Sequence, residues 1–471
     1  MPTANDASHD IIVIGGGSAG LMAAIAASAG GARVLILEKG GKLGRKLGIS
    51  GGGRCNVTNN KDTAELIKHI PGNGKFLYSA LSQFGSRDII AFFERLGIRL
   101  KEEDNGRMFP VTDSAKTVVD TLIKQVRRQG VEIRLDCPVR RVLYRGGKVE
   151  GVLLHNGETV RASRVIVAVG GKSVPRTGST GDGYAWAMEA GHTVTPLYPT
   201  EVPLVSREPF IRRRELQGLS LRDVALTVWN AKGKPAVTHR GDMLFTHFGL
   251  SGPAALRCSQ FVVKELAKAG LPVMTELPSA PGVPNADVGM EIGMEKGTRS
   301  GETGEADGEA APSATVRLTI DLFPDVPEHD LYERVISAAR AEPKKMVKTV
   351  LRQMLPDRIV PVLLNKAELD GEAACGGVSG KSWTVLSRLM KAFPVEVSGT
   401  LSLEEAFVTG GGVHLKEIDP KTMQSKIVEG LYFCGEILDV HGYTGGYNIT
   451  AAFATGYAAG KHAAESVRVN L

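Results

Sequence analysis

The stretch DIIVIGGGSAG, residues 10–20, decides how the chain is expected to fold. Four consecutive β-branched residues predict a short buried strand, and the glycines after them have the spacing Gly-x-Gly-x-x-Gly. An alanine-rich run over 21–29 predicts a helix, and an apolar run over 33–37 predicts a second strand that ends on Glu38. This order of strand, glycine turn, helix, strand and acid is typical of a dinucleotide-binding unit.

Each glycine of this turn has its own role in such a unit. Gly15 allows the tight turn, Gly17 lets a pyrophosphate approach the backbone, and Gly20 lets the helix pack closely on the strand. The N-terminus of the helix attracts phosphates through its free N–H groups and its dipole. Glu38 is expected to accept hydrogen bonds from a ribose diol and to repel a 2′-phosphate.

The composition indicates a globular protein and excludes several other classes. Glycine supplies 57 of 471 residues, about 12% against a usual ~7%, without a collagen period. The net charge is +6, and the five cysteines are scattered with no CxxC pair, which argues against a disulfide framework, a zinc site and a dithiol reductase. No metal site is expected. Residues 1–10 lack a signal-peptide layout and no apolar run reaches the ~18 residues of a membrane helix, so we expect a soluble, cytoplasmic protein without membrane insertion.

The region after the dinucleotide unit favours FAD over nicotinamide as the bound cofactor. An amphipathic helix is predicted over 114–128, and a buried strand over 164–171 ends in paired glycines. Between them lie three short alternating runs, at 131–135, 139–144 and 149–154, which predict a three-stranded meander. Such a meander resembles that of FAD domains of the glutathione-reductase type.

The rest of the chain predicts an insertion followed by a return to the first domain. We expect a first part of the FAD domain at 1–195, a β-rich domain at 196–327, a helical portion at 328–395, and a second part of the FAD domain at 396–471. Within the β-rich domain, 279–314 is predicted to be a mobile surface loop because it has seven glycines, seven acids and no aromatic residue. The predicted helices of the helical portion are 331–340, 345–354, 359–369 and 382–393.

The final stretch returns to a glycine-rich pattern. Residues 430–436 predict a strand that ends on a glycine and an acid, and the paired glycines 445–446 precede an alanine-rich helix over 449–464. In FAD domains of two parts, such a strand carries its acid toward the ribityl chain. The N-terminus of the last helix then faces the flavin pyrimidine ring, where its dipole stabilises negative charge.

Four longer motifs make a specific resemblance. They are GRKLGISGGGRCN at 44–56, LFTHFGLSGP at 244–253, EAFVTGGGV at 405–413, and the stretch 430–448 that contains GEILD. Together they closely resemble the BaiN/YhiN-like flavoproteins, a bacterial family of NAD(P)/FAD-dependent oxidoreductases. The resemblance covers nearly the whole chain except 279–314. It implies an α/β protein in which a Rossmann-like FAD-binding domain, a parallel sheet plus a β-meander, is split by an inserted β-barrel-like domain with a helical portion.

The resemblance also implies non-covalent FAD and a set of residues that hold it. The implied contacts are Gly15, Gly17, Ser18, Ala19 and Gly20 at the pyrophosphate; Glu38 and Lys39 at the adenosine ribose; Val139 near adenine; Lys46, Ser50, Gly51, Gly52, Gly53, Arg54, Cys55 and Asn56 by the phosphates and flavin; Gly170 and Gly171 on one side; and Gly435, Glu436, Gly446, Tyr447, Asn448 and Ile449 on the other. One departure is His441, which stands where an acid is common in the family.

The catalytic residues are less sharply indicated. Reduction of a C=C or C–N bond needs a proton donor near the flavin, and the candidates are Cys55, His441, Tyr443, Tyr447 and His247. A lone histidine or tyrosine is more often structural. Arg54 beside Cys55 could lower the thiol pKa, but we expect Cys55 to be a packed small residue.

The leading functional hypothesis is an FAD-dependent oxidoreductase. The family resemblance implies that hydride passes from NAD(P)H through FAD to a conjugated enone, a small-molecule substrate. NAD(P)H would visit transiently, because only one complete Gly-x-Gly-x-x-Gly is present. The alternatives are an oxidase that uses oxygen on a small amine, and a flavin-dependent tRNA-modifying or flavin-binding protein. Without a basic patch interleaved with aromatics, a nucleic-acid partner is not expected; the oligomeric state is left open.

Overall fold

The structure is a computed structural model that describes residues 9–272 and 314–468. The predicted loop at 279–314 therefore lies, apart from its last residue, outside the described residues. The strands are β1 (Ile11–Ile14), β2 (Val34–Leu37), β3 (Thr58–Asn59), β4 (Leu100–Glu103), β5 (Arg107–Pro110), β6 (Glu132–Arg134), β7 (Val139–Arg145), β8 (Lys148–Leu154), β9 (Thr159–Arg161), β10 (Arg164–Val167), β11 (Val194–Thr200), β12 (Leu204–Ser206), β13 (Ser220–Trp229), β14 (Pro235–Phe245), β15 (Gly249–Ser251), β16 (Val316–Asp321), β17 (Phe393–Thr400), β18 (Val408–Val413) and β19 (Leu431–Phe433).

The helices connect and cover these strands. They are α1 (Ser18–Ala29), α2 (Arg45–Ile49), α3 (Thr63–Lys68), α4 (Tyr78–Gln83), α5 (Ser86–Arg95), α6 (Ala115–Arg128), α7 (Asp182–Glu189), α8 (Pro209–Arg212), α9 (Pro253–Lys268), α10 (Glu328–Ala341), α11 (Val347–Leu351), α12 (Ile359–Lys366), α13 (Gly380–Lys391) and α14 (Tyr447–Arg468). Among the helices described, none is both long enough and apolar enough to cross a membrane.

A five-stranded parallel sheet organises the first domain. Its strand order is β19-β10-β1-β2-β6, so the two parts of the domain, far apart in sequence, meet in one sheet. The four residues of β1 are fully or almost fully buried, as expected for the central strand of a sheet covered on both faces. The predicted Rossmann-like fold is confirmed, and the carboxyl ends of β1, β10 and β19 share one edge of the sheet.

The predicted meander differs from the observed one by one strand. The run at 131–135 contributes β6, which pairs in parallel with β2 at the edge of the main sheet. Because β6 directly follows α6, the chain returns in the direction of β2, and β6 pairs in parallel with β2 as an edge strand of the main sheet. The meander is instead β7-β8-β9, with the short strand β9 as its third member.

The inserted domain is a closed barrel with helices packed on it. Its strand order is β12-β15-β14-β13-β16-β17, which confirms the predicted β-barrel-like insertion. The helix α9 packs against β13 and β14, and α10–α13 form the helical portion. The last barrel strand, β17, spans the predicted boundary at 395/396, and β11 spans that at 195/196. The helix predicted at 345–354 is shorter in the structure, where only Val347–Leu351 are helical. Pro356, which disfavours helical backbone at the residue before it, follows shortly after the end of this helix.

Two glycines let the last helix lie directly on the first. A Cβ at Gly456 would lie 2.3 Å from the Ala19 carbonyl oxygen, and one at Gly460 would lie 2.0 Å from that of Ala23. Both distances are far below van der Waals contact, so α14 and α1 approach as closely as two backbones allow. This contact joins the C-terminal part of the FAD domain to its N-terminal part.

The variant Gly460→Val is expected to destabilise the protein by about 3 kcal/mol, because the added side chain must push α14 away from α1. Urea unfolding followed by circular dichroism measures this difference. Gly380→Val is the matched control, since Gly380 also lies in a helix but faces open space. Equal stability of the two variants would contradict the close helix contact.

Candidate active site

One large cavity lies between the parallel sheet and the barrel. Its volume is about 1260 Å³, above the ~300–1,000 Å³ that is usual for a drug-sized ligand. Seventeen of the sequence-predicted cofactor residues line it: Gly15, Gly17, Ser18, Ala19, Glu38, Lys46, Ser50, Gly51, Gly52, Asn56, Gly170, Gly435, Glu436, Gly446, Tyr447, Asn448 and Ile449. The others lie outside the lining: Gly20, Lys39, Gly53, Arg54, Cys55, Val139 and Gly171.

The glycine turn after β1 leaves open space beside its backbone at one of its three glycines. Gly15 has φ +99°, and a Cβ there would lie 2.6 Å from the Ala168 carbonyl oxygen. A Cβ at Gly20 would lie 1.9 Å from the Gly15 oxygen, so this glycine sets the distance between helix and turn. At Gly17, in contrast, a Cβ would meet no atom within 4 Å, and this residue lines the cavity. The space beside Gly17 therefore fits a group that approaches the backbone.

The helix that starts at this turn presents free N–H groups. Its N-cap is Gly17, which has no side chain to cap the first turn, and that turn carries no acidic residue. The first turn of α14 also lacks an acid. Both helix N-termini line the cavity with uncompensated positive dipole ends, which suit the pyrophosphate and an electron-rich flavin ring.

Glu38 lines the cavity just after the carboxyl end of β2. Its Oε2 accepts a hydrogen bond from the Gly16 N–H at 2.8 Å, and its Oε1 accepts one from the Gly40 N–H at 2.9 Å. These bonds fix the carboxylate at the end of β2, where it lines the cavity. Lys39 is directed elsewhere, since its Nζ lies 2.6 Å from the Asp182 carboxylate and ties this turn to α7.

An ion pair joins the two parts of the FAD domain inside the cavity wall. The Lys46 Nζ lies 2.7 Å from the Glu436 Oε2, and the other oxygen, Oε1, accepts hydrogen bonds from the Ser173 hydroxyl and the Thr409 N–H. Burial raises the pKa of Glu436, but Lys46 and these donors outweigh it, so the pKa lies below its usual value. Glu436 is therefore a fixed negative charge. Its bonds hold Lys46, Ser173 and Thr409 together in the cavity wall.

The loop at 50–56 combines glycines with a buried cysteine. Gly51, Gly52 and Gly53 all have positive φ, which favours glycine, and a Cβ at Gly52 or Gly53 would meet nothing within 4 Å. Cys55 is fully buried, and burial raises its pKa to about 12 despite a hydrogen bond with Ser50. The burial of Cys55 fits the interpretation as a packed small residue and does not support a lowered thiol pKa, because a thiol needs a polar surrounding to ionise.

Arg54 is held away from the cavity. Its Nη2 lies 2.7 Å from the Asp113 carboxylate and also pairs with Glu103, and its guanidinium lies 4.2 Å from the centre of the Phe109 ring. The two carboxylates neutralise the positive charge of Arg54, which was considered as a group that could lower the Cys55 pKa or bind a phosphate. The neighbouring Arg45 and Arg107 do line the cavity.

Both histidines named as catalytic candidates lie outside the cavity lining. His441 is 1% exposed, its Nε2 lies 3.0 Å from the Tyr198 hydroxyl, and burial, with the charge of Lys264, lowers its pKa to about 3. His247 is exposed on the barrel, with its ring beside that of Phe248. The structure therefore does not bring either histidine to the flavin end of the cavity. Tyr443 and Tyr447, in contrast, both line it.

The barrel contributes an arginine that sequence reasoning missed. Arg257, on α9, lines the cavity, and its buried Nε has no hydrogen-bond acceptor within the described part of the chain. An arginine in a helix segment that is otherwise uncharged and mostly apolar (PAALRCSQFVV, 253–263) is the signal that could have indicated it. A guanidinium without a protein partner is suited to bind an oxygen of a ligand.

Three further groups surround Arg257. The ring of His239 packs edge to face on Tyr443, with centroids 4.9 Å apart, and its buried Nε2 has no partner among the described residues. Burial, with the charges of Arg257 and His69, lowers the pKa of His239 to about 4, so this imidazole is neutral at pH 7. Glu201 is 2% exposed, and burial raises its pKa to about 7 although Thr444 and Arg257 oppose the shift.

The fold and this cavity define the class of protein. A dinucleotide-binding sheet built from two parts of the chain, with a barrel that closes the far side of the cavity, is the arrangement of an FAD-dependent oxidoreductase. The chain belongs to the family described as "HI0933-like protein Rossmann domain", whose model matches residues 9–462. The resemblance to the BaiN/YhiN-like flavoproteins is thereby confirmed.

Two curated relatives match nearly the whole chain. The chain is 30% identical over 464 residues to a "3-dehydro-bile acid delta(4,6)-reductase" of Clostridium scindens, which covers 96% of this chain and 98% of that one. It is 31% identical over 449 residues to a "Ribosomal RNA dihydrouridine synthase" of Haemophilus influenzae, with coverages of 95% and 96%. A solved 3-ketosteroid delta1-dehydrogenase from Sterolibacterium denitrificans is 14% identical, with a TM-score of 0.48 and coverages of 97% and 99%.

Proposed function

We propose that the protein reduces a carbon–carbon double bond conjugated to a carbonyl group, with electrons that pass from NAD(P)H through FAD. The observation that carries this proposal is Arg257, an unpartnered guanidinium on the barrel side of the cavity that the two helix N-termini and the glycine loop also line. A reaction that develops negative charge on a substrate oxygen uses such a group directly.

The volume and the lining of the cavity support FAD as its ligand. The open space beside Gly17 would accommodate the pyrophosphate, Glu38 would accept hydrogen bonds from the ribose hydroxyls, and the N-terminus of α14 would donate to the flavin. When bound there, FAD supplies hydride transfer, which none of the side chains can perform. The protein's part is to bind the substrate, exclude water and control one proton.

Arg257 orients the substrate and stabilises its charge. Its guanidinium donates hydrogen bonds to the carbonyl oxygen, so the double bond is polarised with its electron-poor end at the β-carbon. When hydride reaches the β-carbon, the π electrons move toward the oxygen that Arg257 holds. A proton delivered to the α-carbon restores the carbonyl and completes the addition of two hydrogens.

The names of the two relatives support a common chemistry. One is named as a reductase of a dehydro-bile acid with unsaturation at positions 4 and 6, and the other as a synthase of dihydrouridine. The uracil ring also has a double bond conjugated to a carbonyl group. Both names therefore describe saturation of a polarised C=C bond, although the molecules that carry the bond differ.

A small cyclic enone is the first candidate substrate, and a uracil ring in RNA is the second. Two observations support the second candidate. The barrel segment 196–272 has eleven lysines and arginines against six acids, and the chain is 31% identical to the ribosomal RNA enzyme. Phosphates of an RNA would contact such a surface while one base enters the cavity.

An anaerobic flavin assay tests the proposal. The protein is reduced with NADH or NADPH and then mixed with a steroid 4-en-3-one, its saturated analogue, or a uridine-containing ribosomal RNA fragment, while the flavin absorbance is followed. Reoxidation by the enone, with two hydrogens added to the product, supports the first candidate; dihydrouridine formation without enone turnover supports the second. Reduction of the flavin by a small amine, with peroxide release in air and no reaction with either alkene, contradicts the proposal in favour of an amine oxidase.

A further inference from the structure

A buried carboxyl lies directly behind the cavity wall and takes no part in the chemistry described so far. Glu201 follows β11 and is 2% exposed, and it does not itself line the cavity. A carboxylate removed from water is costly unless it is paired with a cation, and here burial outweighs the positive charge of Arg257. Because the pKa of Glu201 is raised to about 7, its acid and carboxylate forms coexist near that pH.

Thr444 is the contact between this carboxyl and the cavity. The Glu201 Oε2 accepts a hydrogen bond from the Thr444 N–H at 2.8 Å, and the Thr444 side chain lies close enough to the same carboxyl to lower its pKa. Thr444 lines the cavity, between Tyr443 and the N-terminus of α14. Thr444 therefore lies between the buried acid on one side and the substrate space on the other.

We propose that Glu201 is the proton reservoir of the reaction and that the Thr444 hydroxyl passes its proton to the α-carbon of the substrate; the inference rests on the proposed reduction. The Glu201 O–H bond breaks as the Thr444 oxygen takes up this proton. The Thr444 O–H proton moves to the α-carbon, whose new C–H bond uses the electron pair released from the double bond. Glu201 is left as a carboxylate and takes up a proton from water before the next turnover.

The groups around Glu201 determine its pH response. Arg257 and Cys258 face it from α9, and Tyr443 faces it from the segment beside Thr444. Burial raises the pKa of the Cys258 thiol and of the Tyr443 phenol, so both stay neutral and only Arg257 contributes charge. The acid form of Glu201 is lost as the pH rises through about 7, so the rate of flavin reoxidation by substrate is expected to fall above that pH.

The variants Glu201→Gln and Thr444→Val test this route in the FAD-loaded protein. Each is expected to slow substrate-driven flavin reoxidation by about a hundredfold and to remove the decline above pH 7. Thr444→Ser, which keeps the hydroxyl, is expected to restore both. Glu208→Gln is the matched control, because Glu208 is a barrel acid that pairs with Lys366 outside the cavity.

A second readout does not depend on turnover. The infrared carbonyl absorption of a protonated carboxyl, recorded from pH 5 to 9, is expected to contain a component that disappears near pH 7 and is missing in Glu201→Gln. Wild-type rate and pH profile in Glu201→Gln, or the absence of that component at pH 5, would overturn the inference. Failure of the proposed function looks different, because wild-type protein would then not be reoxidised by any conjugated alkene.

Discussion

Gly17→Val is expected to yield a folded protein that retains no FAD. The backbone at this residue has φ −80°, which any residue adopts, and a Cβ there meets no atom within 4 Å, so the apoprotein tolerates the change. The isopropyl group would fill the space through which a pyrophosphate approaches the N–H groups of α1. The loss of these contacts corresponds to about 4 kcal/mol or more, roughly a thousandfold in Kd.

The measurement is the ratio of flavin to protein absorbance after desalting, followed by titration of the apoprotein with FAD. Gly380→Val serves again as the control, because it adds the same side chain into open space outside the cavity. Circular dichroism is expected to be the same for both variants and wild type. Normal FAD content in Gly17→Val would refute the assignment of the turn as the pyrophosphate site.

The dinucleotide half of the site was predictable because its chemistry depends on the backbone. Gly15 is required because its φ is positive, and Gly20 is required because a Cβ there would lie 1.9 Å from the Gly15 oxygen. Since no other residue type meets these requirements, the glycines are visible in the sequence. The same holds for the strand β1, whose four apolar residues fix its central place in the sheet. The sequence therefore predicts the fold and the cofactor-binding edge of the sheet together.

The substrate half was not predictable because it depends on which side chains the tertiary fold leaves without a partner. His441 looked reactive by type, but its position beneath Gly72 and against Tyr198 buries it as a neutral ring. In the sequence, Arg257 lies in a predicted helix and Glu201 lies between two prolines, and neither belongs to a recognisable motif. They become candidates for a function only because the fold brings β11, α9 and the segment 443–444 together at the cavity. The short strand β9 was missed for a related reason, since pairing with β8 rather than its own pattern makes it a strand.

Arg257→Met is expected to slow reoxidation of the reduced flavin by substrate by about a hundred- to a thousandfold, with the FAD content unchanged. Methionine fills a similar volume but cannot hydrogen-bond the substrate oxygen. Arg257→Lys is expected to recover part of the rate, because it keeps the charge and loses the two-pronged geometry. Arg222→Met, an exposed arginine on β13 that does not line the cavity, is the matched control.

Stability and pH dependence distinguish this role from a structural one. Because the buried Nε of Arg257 has no acceptor among the described residues, its removal is expected to leave the melting temperature unchanged or to raise it, whereas loss of a structural arginine lowers it. Removing the positive charge also raises the pKa of Glu201 further, so the residual activity is expected to decline at a higher pH than in wild type. A variant with a lower melting temperature and the wild-type pH profile would assign Arg257 to the packing of α9 rather than to the reaction.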